Sequence, residues 1–163
     1  MDGLWLSLKL LLLLGVANSA PIAAKRLLGS RWNAPLDGGA MFFDGRPLLG
    51  PGKTIRGVVA AIAAAAIAAW ALAIPPSVGA LAGAVSMAGD ALASFTKRRL
   101  GVAPSGRAVG LDQIPESLLP LLAVQGLLDL SAAQIAGITA AFLVLEIPLA
   151  RLAYRLGLRD RPY

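Results

Sequence analysis

The stretch IRGVVAAIAAAAIAAWALAIPP, residues 55–76, decides the fold class. Between Arg56 and Pro75 it contains no charged residue, and most of its positions are Ala, Ile or Val. A helix needs about 20 apolar residues to cross the hydrocarbon core of a bilayer, and this run supplies them. Proline cannot continue a helix, so the two consecutive prolines end the run. The stretch therefore predicts a membrane-spanning helix over about 55–74.

The composition of the whole chain extends this prediction. Of the 163 residues, 57% are hydrophobic and 15% are charged, whereas a soluble domain carries about a quarter charged residues. We predict an all-α integral membrane protein, organised as a single polytopic domain over residues 1–163. Its five transmembrane helices are expected at about 4–24, 55–74, 77–95, 114–128 and 132–154, with cytoplasmic loops at 25–54 and 96–113.

Basic residues indicate the orientation of these helices. Fourteen of the fifteen Lys and Arg residues lie in segments 25–56, 97–107 and 151–161, which share one side of a five-helix topology. Positively charged loops stay in the cytoplasm. The N-terminus is therefore expected outside, the C-terminus and the active site face the cytoplasm, and the protein is a multi-pass protein of the cell membrane. Lys9, the exception, is expected to reach the outer interface.

Residues that the chain lacks narrow its chemistry. It has no cysteine and no histidine, which excludes disulfides, thiolate nucleophiles, imidazole bases and metal sites built from Cys or His. A bound metal must have oxygen ligands, and these favour Mg²⁺. The net charge of +6 is explained by the basic cytoplasmic loops of the predicted topology. We therefore predict no nucleic-acid partner.

The first candidate motif is GPGKTIRG, residues 50–57. Glycines allow a ligand to approach the backbone, and Lys53, Thr54 and Arg56 stand at the N-terminus of a predicted helix. Free N–H groups, a hydroxyl and cations together can bind a polyphosphate. The alternative is an interfacial loop whose basic residues meet lipid headgroups.

The second motif is GDALASFTKRR, residues 89–99. Asp90 and Ser94 are four residues apart and share a helix face, with Lys97 one turn further on. Asp112 begins the next predicted helix at the same level. Two carboxylates beside several cations predict Mg²⁺ bridged to phosphates. The alternative for Asp90 is a structural ion pair with a neighbouring helix.

Two further polar residues lie inside predicted helices. Glu146 is assigned a structural role in the fifth helix, with a basic partner such as Arg151. Asn18, followed by Pro21, is expected to break the first helix near its cytoplasmic end.

Together these blocks resemble the CDP-archaeol synthase family, the archaeal relatives of the CDP-diacylglycerol synthases. The resemblance spans essentially the whole chain. It rests on Asn18 with Pro21, on Asp37, on 44–46, 50–57 and 89–99, and on Asp112 with Gln113. The chain departs from the family pattern at Pro51, where a more polar residue is usual.

The resemblance implies an Mg²⁺-dependent enzyme that transfers cytidylyl from CTP to an isoprenoid diether glycerol phosphate, 2,3-di-O-geranylgeranylglyceryl phosphate, giving CDP-archaeol and pyrophosphate. It implies catalytic roles for Asp90, Asp112, Lys53 and Lys97, with the metal bound by the two aspartates. The residues implied to bind CTP and the lipid phosphate are Asn18, Asp37, Arg46, Lys53, Thr54, Arg56, Gly57, Ser94, Lys97, Arg98, Arg99 and Gln113.

Three alternatives stay open at this point. The same chemistry could act on diacyl phosphatidate, since the sequence does not distinguish ester from ether tails. A small transporter or channel could place Asp90, Glu146 and Lys9 along a polar path. A non-catalytic lipid-binding scaffold would need neither carboxylate. The lipid bilayer is a partner in every case, and the Ala- and Gly-rich helix surfaces are compatible with a homodimer.

Overall fold

Five helices make up the regular structure of the described residues. The computed structural model describes residues 3–103, 106 and 108–157. The helices are α1 (Gly3–Leu28), α2 (Ile55–Ala71), α3 (Pro76–Arg99), α4 (Gln113–Leu128) and α5 (Ala132–Arg155). The predicted all-α architecture of five helices is confirmed. Arg107, Arg159 and Arg161, which contributed to the predicted orientation, lie outside the described residues.

Three of these helices are long and apolar enough to cross a membrane, namely α1, α3 and α5. α2 is a shorter apolar helix of 17 residues, about 25 Å long at 1.5 Å per residue. α4 has 16 residues and contains Pro120. Both are shorter than the roughly 30 Å hydrocarbon core of a typical bilayer.

Two helices extend further than predicted. The predicted break near Asn18 is wrong, because α1 runs through Pro21 to Leu28 as one helix. A proline removes one backbone donor, but a helix can continue past it when neighbouring groups satisfy the freed carbonyl. α3 begins with Pro76 in its first turn and includes the basic residues 97–99 in its last turn. These cations therefore have fixed directions on a helix instead of lying in a loop.

Close backbone contact holds α2 against α3. A Cβ atom added to Gly79 would lie 2.4 Å from the Ala65 carbonyl oxygen, and one added to Gly83 would lie 2.9 Å from the Ala61 oxygen. Both alanines are fully buried. In lipid, small residues allow this approach, and packing replaces the hydrophobic effect as the driving force. Because the helices are antiparallel, this register brings the start of α2 to the last turns of α3.

A second close contact joins α3 to α4. A Cβ at Gly89 would lie 2.3 Å from the Pro115 carbonyl oxygen, and the Ser86 hydroxyl donates to the Glu116 carbonyl oxygen at 2.9 Å. The Gly89 and Ser86 contacts fix the first turn of α4 beside Asp90. Elsewhere in the bundle, α1 contributes buried leucines such as Leu10 and Leu14 to the apolar core.

Candidate active site

The loop between α1 and α2 is organised around the carboxylate of Asp37. It accepts hydrogen bonds from the backbone N–H groups of Gly39 at 3.0 Å, Leu49 at 2.9 Å and Gly50 at 3.3 Å. Burial by itself raises the pKa of this carboxyl, but the hydrogen bonds from Leu49, Gly39 and Gly50 outweigh it and hold the pKa below its usual value. Asp37 is therefore ionised at neutral pH, and it shapes the turn that carries residues 50–52.

Arg46 ties the same loop to the C-terminal end of α3. Its Nη1 donates to the carbonyl oxygens of Arg98 at 3.1 Å and Arg99 at 2.7 Å. Cations near the last carbonyls of a helix are favoured by the helix dipole. The Arg46 guanidinium, predicted to bind substrate, thus contacts the backbone at the end of α3.

Arg99 reaches back from α3 to the loop. Its Nη1 lies 2.7 Å from Asp44 Oδ1, its Nη2 donates to the Pro47 carbonyl oxygen at 2.7 Å, and its guanidinium lies 4.5 Å and 5.0 Å from the ring centroids of Phe42 and Phe95. Arginine can combine contact with aromatic rings and several hydrogen bonds in this way because its guanidinium is planar and carries five N–H donors. Arg46 and Arg99 together lock the loop onto α3.

Arg56 performs a similar task at the other end of the loop. This side chain is 7% exposed, and its Nη1 donates to the carbonyl oxygens of Gly29 at 2.6 Å and Arg31 at 2.7 Å. Its Nη2 donates to Asn33 Oδ1 at 2.9 Å. Arg56 thereby fastens the start of the loop to α2, while its edge lines the larger cavity of the site.

The start of α2 is shaped by Thr54 and Gly57. The Thr54 hydroxyl caps the helix by accepting from the Gly57 N–H at 3.3 Å. A Cβ at Gly57 would lie 3.3 Å from Pro21 Cβ of α1, so glycine permits the two helices to approach. Asn18 lies one turn before Pro21, where its Nδ2 is buried without a hydrogen-bond partner.

Two lysine–carboxylate pairs lie at the centre of the site. Lys53 Nζ is 2.5 Å from Asp90 Oδ2, and Lys97 Nζ is 2.5 Å from Asp112 Oδ1. The side chains of both aspartates keep about a quarter of their surface exposed, 25% and 22%. The buried carboxyl of Glu116 interacts electrostatically with both aspartates. Lys53 and Lys97, one from each pair, line the same small cavity, so the two pairs are neighbours.

Asp90 and Asp112 suit a metal ion that arrives with phosphate. Among the described residues, no group of three or more Asp or Glu side chains could hold a metal ion on its own, and a lysine neutralises each aspartate. Mg²⁺ is commonly bound through one or two carboxylates, with substrate phosphate oxygens and water completing its shell. A pair of partly exposed carboxylates, each beside a lysine ammonium group, fits that mode of binding.

Two cavities open beside these pairs. The larger, of about 380 Å³, is lined by polar residues that include Lys25, Thr54 and Asp90, and by apolar side chains of α1, α2 and α3. The smaller, of about 90 Å³, lies between residues 49–53 and the Ser94, Lys97 and Arg98 side chains. Lys53 lines both cavities.

Glu146 joins α5 to the site, a role that the sequence analysis missed. Gln113 Nε2 donates to Glu146 Oε2 at 2.8 Å, and Gln113 Oε1 accepts from the Gly110 N–H at 2.8 Å. Gln113 is 3% exposed, and it directly follows Asp112. An ionisable residue inside a membrane helix is a functional candidate by default, and that signal could have identified both Glu146 and Glu116.

Exchanging Gln113 and Glu146 tests this connection. Gln113→Glu alone would place two carboxylates in contact, and we expect kcat/KM to fall about tenfold, since a hydrogen bond to a charged group contributes about 1.5–3 kcal/mol. Adding Glu146→Gln restores a donor and an acceptor, so most of the activity should return. Steady-state kinetics at varied CTP measures both. A double variant no more active than Gln113→Glu would show that the two side chains do not act as a pair.

Known proteins resemble this chain along most of its length. A family model described as CarS-like, CDP-archaeol synthase, matches residues 4–74 and 71–163. The CDP-archaeol synthase of Aeropyrum pernix is 39% identical over 157 residues, covering 91% of this chain and 86% of that protein. The one of Thermofilum pendens is 33% identical over 159 residues, covering 91% and 76%.

A solved structure also matches. It is described as an intramembrane enzyme for archaeal membrane lipids biosynthesis, and it is 34% identical with a TM-score of 0.69. The match covers 86% of this chain and 90% of that one. The likeness is therefore not confined to one motif.

Proposed function

Because this chain belongs to the CDP-archaeol synthase family, it is an enzyme of CTP-dependent cytidylyl transfer that forms CDP-archaeol, and we propose that its two lysine–aspartate pairs are the reaction centre. The observation that carries the proposal is their geometry. Two accessible carboxylates, Asp90 and Asp112, each hold a lysine at 2.5 Å at a site with two cavities.

The proposed acceptor is an unsaturated isoprenoid diether glycerol phosphate. One of its phosphate oxygens attacks the α-phosphorus of CTP and forms a new P–O bond. The bond from the α-phosphorus to the oxygen bridging to the β-phosphorus breaks, and pyrophosphate leaves with that oxygen. The attacking phosphate is already ionised at neutral pH, so a chain without histidine or cysteine needs no base. Catalysis then consists of positioning and charge stabilisation.

Asp90 and Asp112 are the proposed ligands of Mg²⁺, which supplies charge neutralisation at the phosphates when it is bound. Lys53 and Lys97 lie 2.5 Å from these carboxylates, and their ammonium groups would donate to phosphate oxygens of the substrates.

The remaining residues fall into two proposed groups. Ser94, Arg98 and Thr54 face a cavity or its rim and bind substrate oxygens directly. The others support the binding of CTP and lipid phosphate by holding the walls of the site in place. The polar groups of all of them except Asn18 contact the chain itself, and the Asn18 Nδ2 is buried without a hydrogen-bond partner. This second group consists of Asn18, Asp37, Arg46, Arg56, Gly57, Arg99 and Gln113.

The proposed topology places this site at the cytoplasmic surface of the cell membrane. Five spans put the loops that carry the cations of the site on one side, and positively charged loops stay inside. CTP is a cytoplasmic nucleotide, and a lipid phosphate lies at the interface. The short α2 and α4 would cross by thinning the bilayer locally, as hydrophobic stretches shorter than the hydrocarbon core do.

Pyrophosphate release by the detergent-purified protein tests the proposal. We expect turnover that requires CTP, Mg²⁺ and the unsaturated diether glycerol phosphate together, with a higher kcat/KM than for a diacyl glycerol phosphate. Equal or faster turnover of the diacyl lipid would refute the diether assignment. Full activity in the presence of a chelator would refute the metal site. No pyrophosphate release with either lipid would refute the cytidylyl-transfer activity.

A further inference from the structure

A hairpin in the loop between α1 and α2 carries a fully exposed phenylalanine. Residues 40–48 form this hairpin, whose two arms are joined where the Leu48 N–H donates to the Ala40 carbonyl oxygen at 2.9 Å. Phe43 stands in its turn, and its side chain is 100% exposed. A single exposed apolar side chain is normal on a protein surface. The position of the turn therefore decides what Phe43 contacts.

Several contacts fix the turn of the hairpin. The Phe42 N–H donates to the Arg46 carbonyl oxygen at 2.8 Å, and the Asp44 carboxylate accepts from the Arg46 N–H at 3.1 Å. The same carboxylate pairs with Arg99 of α3 at 2.7 Å. Phe43 lies between Phe42 and Asp44, so both of its neighbours are tied to the protein.

Phe42 packs the turn against the side of α3. Its ring centroid lies 5.3 Å from that of Phe95 and 5.1 Å from that of Phe43, edge to face in both pairs. Phe95 comes four residues before Arg99, the last residue of α3, which is about 6 Å along the axis at 1.5 Å per residue. The turn therefore lies beside the last turn of α3 and not beyond its end.

The exposed side of α3 leads to the same place. Leu81, Ala88 and Leu92 are exposed and Phe95 is partly exposed. Their spacings of seven, four and three positions put them on one face of the helix. α3 is long and apolar enough to cross a membrane, so an exposed apolar face along it meets lipid. Phe95 is the cytoplasmic end of this face in the proposed topology.

We infer that the turn of the hairpin is a membrane anchor, in which Phe43 inserts into the interfacial region of the bilayer beside α3. The lipid-facing surface of α3 continues from Phe95 through Phe42 to Phe43. Amphipathic elements at a membrane interface direct Phe, Trp and Leu toward the acyl chains and charged groups toward the headgroups. The pair of Asp44 and Arg99 supplies the charged groups here.

The anchor has a consequence for the site. The loop that carries the hairpin also carries Asp37 and the turn at residues 50–52, which the Asp37 carboxylate shapes. Insertion of Phe43 holds this wall of the site against the membrane surface, where a lipid phosphate lies. The anchor requires only that α3 crosses the membrane, and it does not depend on the proposed reaction.

Spin labelling tests the anchor, because the chain has no cysteine and one substitution introduces one label. Phe43→Cys, labelled with a nitroxide in phosphatidylcholine vesicles, should collide more often with oxygen, which concentrates in the bilayer, than with a water-soluble nickel chelate. Leu92→Cys is the lipid reference, on the exposed face of α3. Val109→Cys is the loop reference, since Val109 is 59% exposed between α3 and α4. The oxygen-to-nickel collision ratio of Phe43→Cys should exceed that of Val109→Cys severalfold.

Two results would overturn the anchor. A ratio as low as that of Val109→Cys would mean that the turn lies in water. Rare collisions with both reagents would mean that protein, such as a second copy of this chain, covers it. Phe43 is fully exposed, so its replacement should preserve the fold, which thermal unfolding verifies. Pyrophosphate release with a low ratio would sink the anchor alone, and a high ratio without release would leave the anchor standing and sink the reaction.

Discussion

Asp90→Asn is expected to lower the rate of pyrophosphate release by at least about a hundredfold. The variant keeps the size of the side chain but removes the charge that faces Lys53 at 2.5 Å. Lys53 then lacks its counterion, and the proposed metal site loses one of its two carboxylates. Loss of a single preorganised electrostatic contact at a reaction centre costs about 10²–10³ in kcat. The rate per folded protein in the presence of CTP, Mg²⁺ and lipid measures the effect.

The matched control is Asp129→Asn at the far end of α4. Asp129 has a φ of 51°, a left-handed conformation that asparagine adopts readily. The same chemical change there should leave the rate within about twofold, as expected for a substitution away from the reacting groups. An Asp90→Asn protein with more than half of the wild-type rate would remove Asp90 from the reaction centre.

Gly89→Ala is expected to reduce both stability and activity. The added Cβ would lie 2.3 Å from the Pro115 carbonyl oxygen and 2.6 Å from its carbonyl carbon. These are backbone atoms, so relief requires α3 and α4 to separate. Overpacking of this kind costs about 1–3 kcal/mol, and the separation also moves Asp90 away from Asp112. We expect a lower thermal midpoint in detergent because of this packing cost. The rate should also fall about tenfold or more, since displacing reacting groups by about 1 Å costs up to about a hundredfold.

Gly126→Ala is the control for the same substitution in the same helix pair. Gly126 lies in α4, and a Cβ there would meet no heavy atom within 4 Å. Alanine also has a higher helix propensity than glycine, by about 1 kcal/mol. The thermal midpoint should therefore stay or rise. A Gly89→Ala variant as stable as Gly126→Ala would show that the contact between α3 and α4 adapts without cost.

The helices could be predicted from the sequence because a long stretch of apolar residues directly indicates a segment buried in lipid. It also placed Asp90, Ser94 and Lys97 on adjacent parts of one helix surface, since that spacing is local. The predicted end of this helix at residue 95 was too early, because a basic run after an apolar segment is also typical of a loop, and α3 continues to Arg99. Length and composition support three spans, and the number five rests on the pattern of charges.

Long-range pairing could not be predicted. Nothing in the sequence tells which lysine meets which aspartate, because that depends on the close helix contacts at Gly79, Gly83 and Gly89. Arg56 illustrates a second limit. A guanidinium that binds backbone carbonyl oxygens and one that binds a phosphate look alike in a motif, and only the contacts of Arg56 with Gly29 and Arg31 separate the two. Gln113 and Glu146 lie 33 positions apart, beyond any local pattern.

The backbone contact between α2 and α3 has a consequence for biogenesis. These consecutive helices are joined by a turn of only residues 72–75, so their glycine–alanine register can form before the rest of the chain is made. We therefore expect Lys53 and Asp90 to meet early and to shield each other's charge during insertion. Asp112 and Glu146 arrive later, with α4 and α5. We expect nascent chains that stop after α3 to insert with the first ion pair formed but without activity.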